Sequence, residues 1–372
     1  MAINWREILF IVFCVDALIQ LFYYLYFFRR VAFPKEEERQ MSREHPVSVI
    51  ICARDEAANL ARFLPGTLLQ DYRTSYEVVV VNDNSQDETR YLLEGMHKEF
   101  RHLNVVELKQ EAMLIPGKKF PLSVGIKTAR HEILLLTDAD CVPATEHWIQ
   151  KMQDAFTEGK EFALGYGAYQ KKKSLLNALI RFDTFQTALQ YFSYALAGLP
   201  YMGVGRNLAY RRDVFFRHKG FSSHNHIPSG DDDLFVNLAA NKDNTTVVMD
   251  KEAFTLSEPK KTWGAWIRQK NRHFSTGKFY RPLHRFLLGL YALSTFLFWP
   301  LFVASMVLFD WRWALLVFVP RLVIQGIYWK KAMSRLDEAD LWPWFPLLDA
   351  WMFFYYIIFA PSLWKRPKAS WK

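Results

Sequence analysis

From Ile8 to Phe28 the chain reads ILFIVFCVDALIQLFYYLYFF. At about 1.5 Å per residue such a run, if helical, is long enough to cross the ~30 Å hydrocarbon layer of a bilayer. Arg29, Arg30 and Lys35 follow at once, and basic residues beside a span mark its cytoplasmic side. A cleaved signal peptide would have a shorter apolar core and a small-residue cleavage site, and neither precedes Arg29. Residues 1–30 are therefore expected to form an uncleaved transmembrane anchor.

The C-terminal part, residues 283–372, turns apolar again in three runs, Phe286 to Phe309, Trp313 to Trp329 and Trp344 to Trp364. Tryptophans at several of their ends suit interfacial anchoring, so two to three further spans are expected. The second run carries Pro320, Arg321 and Gln325 and the third carries Asp349, all costly at the bilayer centre. If all four runs crossed, the tail residues Lys365, Arg366 and Lys368 would end on the side opposite Arg29 and Arg30, against the positive-inside tendency. One run is thus expected to be re-entrant, interfacial or paired inside a bundle.

Between these regions the character changes, so the overall 51% hydrophobic and 23% charged composition averages two unlike parts. With 372 residues there is room for one full catalytic domain beside the membrane segments, but hardly for two, since single cores stop growing near ~250–300 residues. The net charge of +9, placed largely beside apolar runs, suits an anionic membrane surface better than nucleic acid. Cys14, Cys52 and Cys141 lie in apolar or strand-like surroundings without metal-ligand spacing. That argues against a disulfide framework or a zinc site and fits a reducing compartment.

Residues 46–260 alternate strand-like and helix-like stretches, as expected for an α/β domain with a mostly parallel sheet. Strands are expected at Val47–Ala53, Tyr76–Asn82, Leu103–Leu108 and Glu132–Thr137. The helices between them are placed at Ala57–Leu69, with a break at Pro65, at Asp87–Phe100 and at Pro121–Ala129. The polar groups of interest follow the strands, and the carboxyl ends of strands are where open α/β sheets hold their ligands. No G-x-G-x-x-G follows the first strand and no P-loop occurs. A divalent cation bridging carboxylates and a diphosphate is the natural substitute, because hard cations take both kinds of oxygen.

Four constellations carry chemistry. Asp138 and Asp140 stand one residue apart after ILLLT, so that one carboxylate can take a metal and the other can contact the metal, its waters or a ribose. The segment Asn82 to Thr89 suits hydrogen bonding to a base or ribose, or equally N-capping of the next helix by Ser85 or Asp87. Lys118 and Lys119 follow Gly117 and could reach a phosphate or stay solvated. Asp231, Asp232 and Asp233 stand together before an amphipathic run, an unfavourable crowding unless a cation or a shared proton relieves it; such acids can serve as a catalytic base or as a helix cap. Within residues 261–282, an interfacial amphipathic segment, a helix would put Gln269, Arg272 and His273 on one face with Trp263, Trp266 and Ile267 nearby.

Taken in order, these segments resemble a family 2 glycosyltransferase of GT-A fold, the group that includes cellulose and hyaluronan synthases and ceramide glucosyltransferases. The likeness covers about Val47 to Gly277. VSVIICARDEAANL resembles the opening strand and implies donor contacts near Ala53, Arg54 and Glu56; VNDNSQDET points to Asp83 for the uracil or ribose, and GKKFPLSVGIKTA to Lys118 for the diphosphate. TDAD resembles the metal-binding D-x-D, with Mg²⁺ or Mn²⁺ on Asp140 and Asp138, and GVGRNLAYRRDVF a segment lining the donor or acceptor pocket. SGDDDLF resembles the E-D pair, making Asp232 the base with Asp231 beside it, or Asp231 the base after a one-residue slip. QKNRH resembles Q-x-x-R-W, which assigns Gln269 and Arg272 to the donor and leaves His273 where an acceptor-stacking tryptophan would stand.

The resemblance implies an inverting, metal-dependent transfer of sugar from a nucleotide-sugar, a UDP-sugar being favoured, to a membrane-associated lipid or glycan. The histidine argues against processive polymer synthesis, because stacking on sugar favours a large aromatic face. Rival readings are a membrane-bound nucleotidyltransferase and a non-enzymatic transporter or scaffold. The expected setting is the cytoplasmic (inner) membrane, with the catalytic domain facing the cytoplasm.

Overall fold

The computed structural model describes residues 4–35, 43–109 and 117–363. Trp364 and the tail residues Lys365, Arg366 and Lys368 lie outside the described residues. The chain begins with α1 (Trp5–Phe22), a π-helical stretch (Tyr23–Phe28) and α2 (Arg29–Ala32). The α/β part follows as β1 (Val47–Ala53), α3 (Ala57–Leu68), β2 (Tyr76–Asp83), α4 (Thr89–Glu99), β3 (Leu103–Leu108), α5 (Lys119–Thr128) and β4 (Ile133–Asp138). It continues through β5 (Cys141–Pro143), α6 (Trp148–Gln153), β6 (Phe162–Leu164), β7 (Gly167–Tyr169), α7 (Leu175–Leu196), β8 (Leu208–Arg211), α8 (Arg212–Arg217), α9 (Asp233–Ala239), β9 (Thr245–Val247) and β10 (Thr255–Ser257). The chain closes with α10 (Trp263–Phe274), α11 (Pro282–Leu308), α12 (Trp311–Arg335) and α13 (Phe345–Phe359).

A seven-stranded sheet has the order β3-β2-β1-β4-β8-β6-β9. Its first four strands are parallel, and β8 runs antiparallel to both β4 and β6. Every residue of β1 is buried, as expected for a parallel strand covered on both faces. A smaller sheet has the order β5-β10-β7, with β10 antiparallel to β5 and parallel to β7. The four early strands fall within a residue or two of expectation. Pro65 does not break α3: it sits in the last turn, where its missing N–H leaves only one carbonyl of the helix without its bond.

Alternation along the strands gives the two faces different neighbours. Val49, Ile51, Val78, Val80 and Leu135 pack with Leu60, Leu64, Leu93 and Trp148 of α3, α4 and α6. Ile50, Cys52, Val79, Val81 and Leu136 pack with Leu122 and Ile126 of α5, and this second core runs on through α7 to Tyr24, Phe27 and Phe28 of the first apolar helix. Phe27 stacks on Tyr194 of α7 with ring centroids 4.3 Å apart. The core of the sheet is therefore continuous with the helical bundle.

Among the described residues three stretches are long and apolar enough to cross a membrane, Trp5–Ala32, Pro282–Leu308 and Ala339–Ser362. The first packs along α11: Phe13 meets Phe298 at 5.5 Å, the Gln20 amide donates to the Ser294 carbonyl (3.0 Å), and the Tyr23 hydroxyl donates to Leu287 O (2.6 Å). α12, with buried Arg321 and Gln325, does not join that set. Of the arrangements open in the sequence for the polar runs, the structure has pairing inside a bundle. Arg321 donates to Asp349 of α13 at 2.7 and 3.1 Å, to Gln325 at 2.5 Å and to Gln20 of α1 at 2.8 Å, and its guanidinium lies 4.1 Å from the Phe298 ring centroid.

Candidate active site

The carboxyl ends of β1, β2 and β4 deliver the first group of side chains. Ala53 ends β1 fully buried, so any contact it makes with a ligand is through its backbone. Arg54 follows, with its guanidinium 3.7 Å from the Asp83 carboxylate at the end of β2. The loop around Glu56 is fixed by the segment after β2: Ser85 Oγ accepts from the Asp55 N–H (2.9 Å), Thr89 Oγ1 from the Glu56 N–H (3.0 Å), and Asp87 from the Ala57 and Thr89 N–H groups (3.1 and 3.0 Å). Asp87 and Ser85 thus act as loop staples, while Asp83 stays beside Arg54.

β4 ends on Asp138, which is ion-paired with Lys118. Burial resists ionisation of Asp138, but Lys118, with Arg206 and Arg272 further off, outweighs it and holds the carboxyl below its ordinary range. Asp140 shifts the other way, raised by burial and by the charge of Asp138 and only partly relieved by Lys260 and Arg206. A cation beside Asp140 would relieve the repulsion that raises its carboxyl. Asp138, Asp140 and Cys141 each place one ligand atom within 4.8 Å of the others. Cys141 Sγ lies 2.9 Å from Ser257 Oγ, and its thiol is raised well above the usual range by burial and the two aspartates, so the donors available are carboxylate oxygens. Those fit Mg²⁺ or Mn²⁺. With Lys118 already on one oxygen of Asp138, Asp140 is the more open of the pair.

The two lysines after Gly117 divide their work. Lys118 faces Asp138, whereas Lys119 is fully buried and its ammonium donates to the carbonyls of His224 (3.0 Å), Ile227 (2.5 Å) and Ser229 (2.7 Å). It tethers the loop that leads into the acidic turn. Gly117, at φ +80, lies so close to that loop that a Cβ would fall 2.1 Å from Pro228 O. Lys119→Met leaves three carbonyls without their donor and should cost about 3 kcal/mol or more, read as a lower midpoint in denaturant titration; an unchanged midpoint would remove Lys119 from the scaffold.

The three acids separate as clearly. Asp233 is buried and accepts from the Thr276 hydroxyl (2.5 Å), the Tyr280 hydroxyl (2.6 Å) and the Leu234 N–H (2.7 Å), which makes it a strut between α9 and the segment joining α10 to α11. Asp232, the N-cap of α9, accepts from the N–H groups of Asp233 and Gly205, each at 2.7 Å, with half of its lone pairs left over. Burial and the charges of Asp231 and Asp233 push its carboxyl up to about 8. Asp231 accepts no hydrogen bond among the described residues. Lys118, Asp231, Asp138 and Asp83 all act electrostatically on the buried Cys52 thiol, so β1, β2, β4 and the acidic turn converge on one place.

α10 supplies the cationic side. Thr262 caps it by accepting from the Ala265 N–H at 3.3 Å. Its rear face is fastened: Trp266 is buried with its ring 5.5 Å from Phe359, Lys270 pairs with Asp183 of α7 at 2.9 Å, and Ser362 donates to Asn271 at 2.5 Å. Trp266 therefore seats the helix on α13 rather than adhering to lipid as the amphipathic pattern suggested, while Trp263 is exposed. On the other face Gln269 donates to the Tyr169 hydroxyl at 3.2 Å, and Arg272 and His273 are exposed. Desolvation of the ring, added to by the charges of Arg272, Lys270, Arg206 and Lys260, lowers the imidazole pKa well below its ordinary value and favours the neutral form. Arg206 and Lys260 belong to this group, and neither stands out in the sequence. Arg206 lies inside GVGRNLAYRRDVF, where the charge beside two glycines was the available signal.

Residues 45–276 match the family described as glycosyltransferase like family 2. A beta-monoglucosyldiacylglycerol synthase of Trichormus variabilis is 29% identical over 153 residues, 41% of this chain and 31% of the synthase. The probable glycosyltransferase YdaM of Bacillus subtilis is 22% identical over 258 residues, 67% of this chain and 59% of that protein. The chain thus spans between about a third and three fifths of the length of these relatives. Among solved structures, the mannosyltransferase PcManGT from Pyrobaculum calidifontis in complex with GDP-Man and Mn²⁺ shares the fold with TM-score 0.59 at 18% identity, covering 94% of this chain and 99% of that one. The parallel sheet with its acids at the strand ends is a GT-A domain, and with the match spanning well over half of its length the chain belongs to glycosyltransferase like family 2.

Proposed function

We propose that the protein is a membrane-integral, metal-dependent, inverting hexosyltransferase that moves a sugar from a nucleotide-sugar to a membrane-associated lipid or glycan. The observation that carries this is the convergence of Asp138, Asp140 and Lys118 with the Asp231–Asp232 turn on one side and Arg272 and His273 on the other. Ala53, Arg54, Glu56 and Asp83 form the nucleoside end, and Lys118, Gln269 and Arg272 the diphosphate end. Mg²⁺ or Mn²⁺ on Asp140 and Asp138 would supply charge neutralisation at the departing phosphate.

In the reaction an acceptor hydroxyl oxygen attacks the anomeric carbon from the face opposite the diphosphate, the carbon–oxygen bond to phosphate breaks, and Asp232 takes the hydroxyl proton. Arg272 adds positive charge where the nucleoside diphosphate departs. Neutral His273 can hydrogen-bond an acceptor but offers no broad stacking face, which favours a single addition. The name of the Trichormus relative supports a lipid acceptor, and the nucleotide-sugar and Mn²⁺ in the Pyrobaculum structure support a donor of that class. Arg29 and Arg30 at the end of the first span favour a catalytic domain on the cytoplasmic side.

Thermal unfolding of the purified full chain with UDP-sugars and GDP-sugars, with and without Mn²⁺, tests the donor site. At about 100 times Kd a bound donor stabilises by ~2.7 kcal/mol. That stabilisation is expected only with metal, and Asp140→Ala should abolish it. Equal stabilisation without metal, or in the variant, would refute the metal assignment. Release of pyrophosphate instead of nucleoside diphosphate would favour nucleotidyl transfer.

A further inference from the structure

Arg206 stands in the turn before β8, directly after the Gly205 whose N–H holds Asp232 at 2.7 Å. Its guanidinium lies over the Tyr169 ring, 4.5 Å from the centroid, and donates once, to Ser257 Oγ at 3.2 Å. Gly167 makes this seat possible: a Cβ there would come within 3.1 Å of Arg206 Cβ and 3.2 Å of Nε. Both partners lead into the site. Ser257 Oγ contacts Cys141 next to Asp140, and the Tyr169 hydroxyl accepts from Gln269 of α10. Arg206 thus lies between the paired carboxylates and the cationic helix.

Arg206 is half-buried, and its bonding is incomplete in a way that of the buried Arg181 and Arg321 is not. Arg181 is paired with Glu338 at 2.6 Å and with Asp340 at 2.5 Å, and Arg321 with Asp349 at 2.7 Å. Among the described residues no carboxylate lies within 4.0 Å of Arg206, and four of its five N–H donors have no hydrogen-bond partner. A guanidinium immobilised on an aromatic face loses little further freedom when it binds, and its planar fork matches an oxyanion. It acts electrostatically on Asp138, Asp140 and His273, so the oxyanion it would hold lies within the reacting region.

We propose that Arg206 is a substrate-contacting residue that binds a phosphoryl oxygen, supplied either by the donor diphosphate or by the phosphate of an anionic lipid. The inference rests on the nucleotide-sugar reading above. Arg206→Met keeps the apolar stem against Tyr169 and Gly167 but removes the donors, and Arg206→Lys restores charge without the fork. Thermal stabilisation of the full chain in detergent is measured with UDP and GDP plus Mn²⁺, and separately with phosphatidate against phosphatidylcholine in mixed micelles. The expected result is an apparent affinity for nucleoside diphosphate at least ~10-fold weaker in Arg206→Met, partly recovered in Arg206→Lys, with ligand-free unfolding unchanged. Loss confined to the phosphatidate response would also support Arg206 and would identify the lipid as the source. Responses to both probes equal to those of the wild type would overturn the proposal. If the wild type responds to neither nucleotide, the donor reading fails, and the phosphatidate arm alone decides the role of Arg206.

Discussion

Asp232→Asn is expected to lower sugar transfer by ~10²–10⁴-fold while leaving metal-dependent donor binding in place, because removal of a positioned general base costs that much and the diphosphate is held elsewhere. The amide keeps a similar shape at the N-cap of α9 but cannot take the proton. With the Asp232 carboxyl pushed up to about 8 by burial and by Asp231 and Asp233, kcat/KM should rise with pH through that region, and the rise should vanish in the variant. The same shift has a signature in stability. A carboxyl raised above its ordinary 3.8 contributes stability that is fully present below 3.8 and is lost as pH rises through about 8, since the unfolded chain ionises first. Ligand-free wild type should therefore lose stability relative to Asp232→Asn between these limits. Asp231→Asn is the control: if it abolishes transfer while Asp232→Asn does not, Asp231 is the base.

A second large effect is expected in the helical bundle. Arg321→Leu leaves Asp349, Gln20 and Gln325 buried without the guanidinium that serves all three, and stranding one partner of a buried ion pair costs about 3–5 kcal/mol. The double change Arg321→Leu with Asp349→Leu removes both charges and should recover most of that loss, because two apolar side chains suit such surroundings. Unfolding of the solubilised protein in denaturant, followed for wild type, both single variants and the double, completes a mutant cycle. Additive losses would mean that the pair is not a coupled unit.

The early strands were legible because fully buried parallel strands leave continuous runs such as VSVIICA and YEVVVVND, bounded by polar residues at the ligand end. The short strands β5 to β10 have no such signal: three or four residues carry too little periodicity, and partners distant in sequence decide their pairing. The site shows the same limit at finer grain. Asp231, Asp232 and Asp233 are indistinguishable in a row of three, yet Thr276 and Tyr280, more than forty residues on, make Asp233 a strut. Lys118 and Lys119 are adjacent, and only the folded loop at His224–Ser229 separates the partner of Asp138 from a tether. Arg321 and Asp349 were visible as anomalies in apolar runs, but not as each other's partners.

The first helix and the last three close into one bundle, with Gln20 of α1 and Asp349 of α13 meeting on a single arginine, and the GT-A domain is in effect a long insertion between the halves of that bundle. α7 of the domain packs on the first helical segment through Tyr194 and Phe27, and α10 is fastened to α13 through Trp266 and to Ser362 just beyond it through Asn271. Such a domain cannot tumble freely about a flexible stalk. For an acceptor confined to the bilayer, the search for the reactive carbon becomes two-dimensional, and the local concentration that matters is set by surface density rather than by bulk volume.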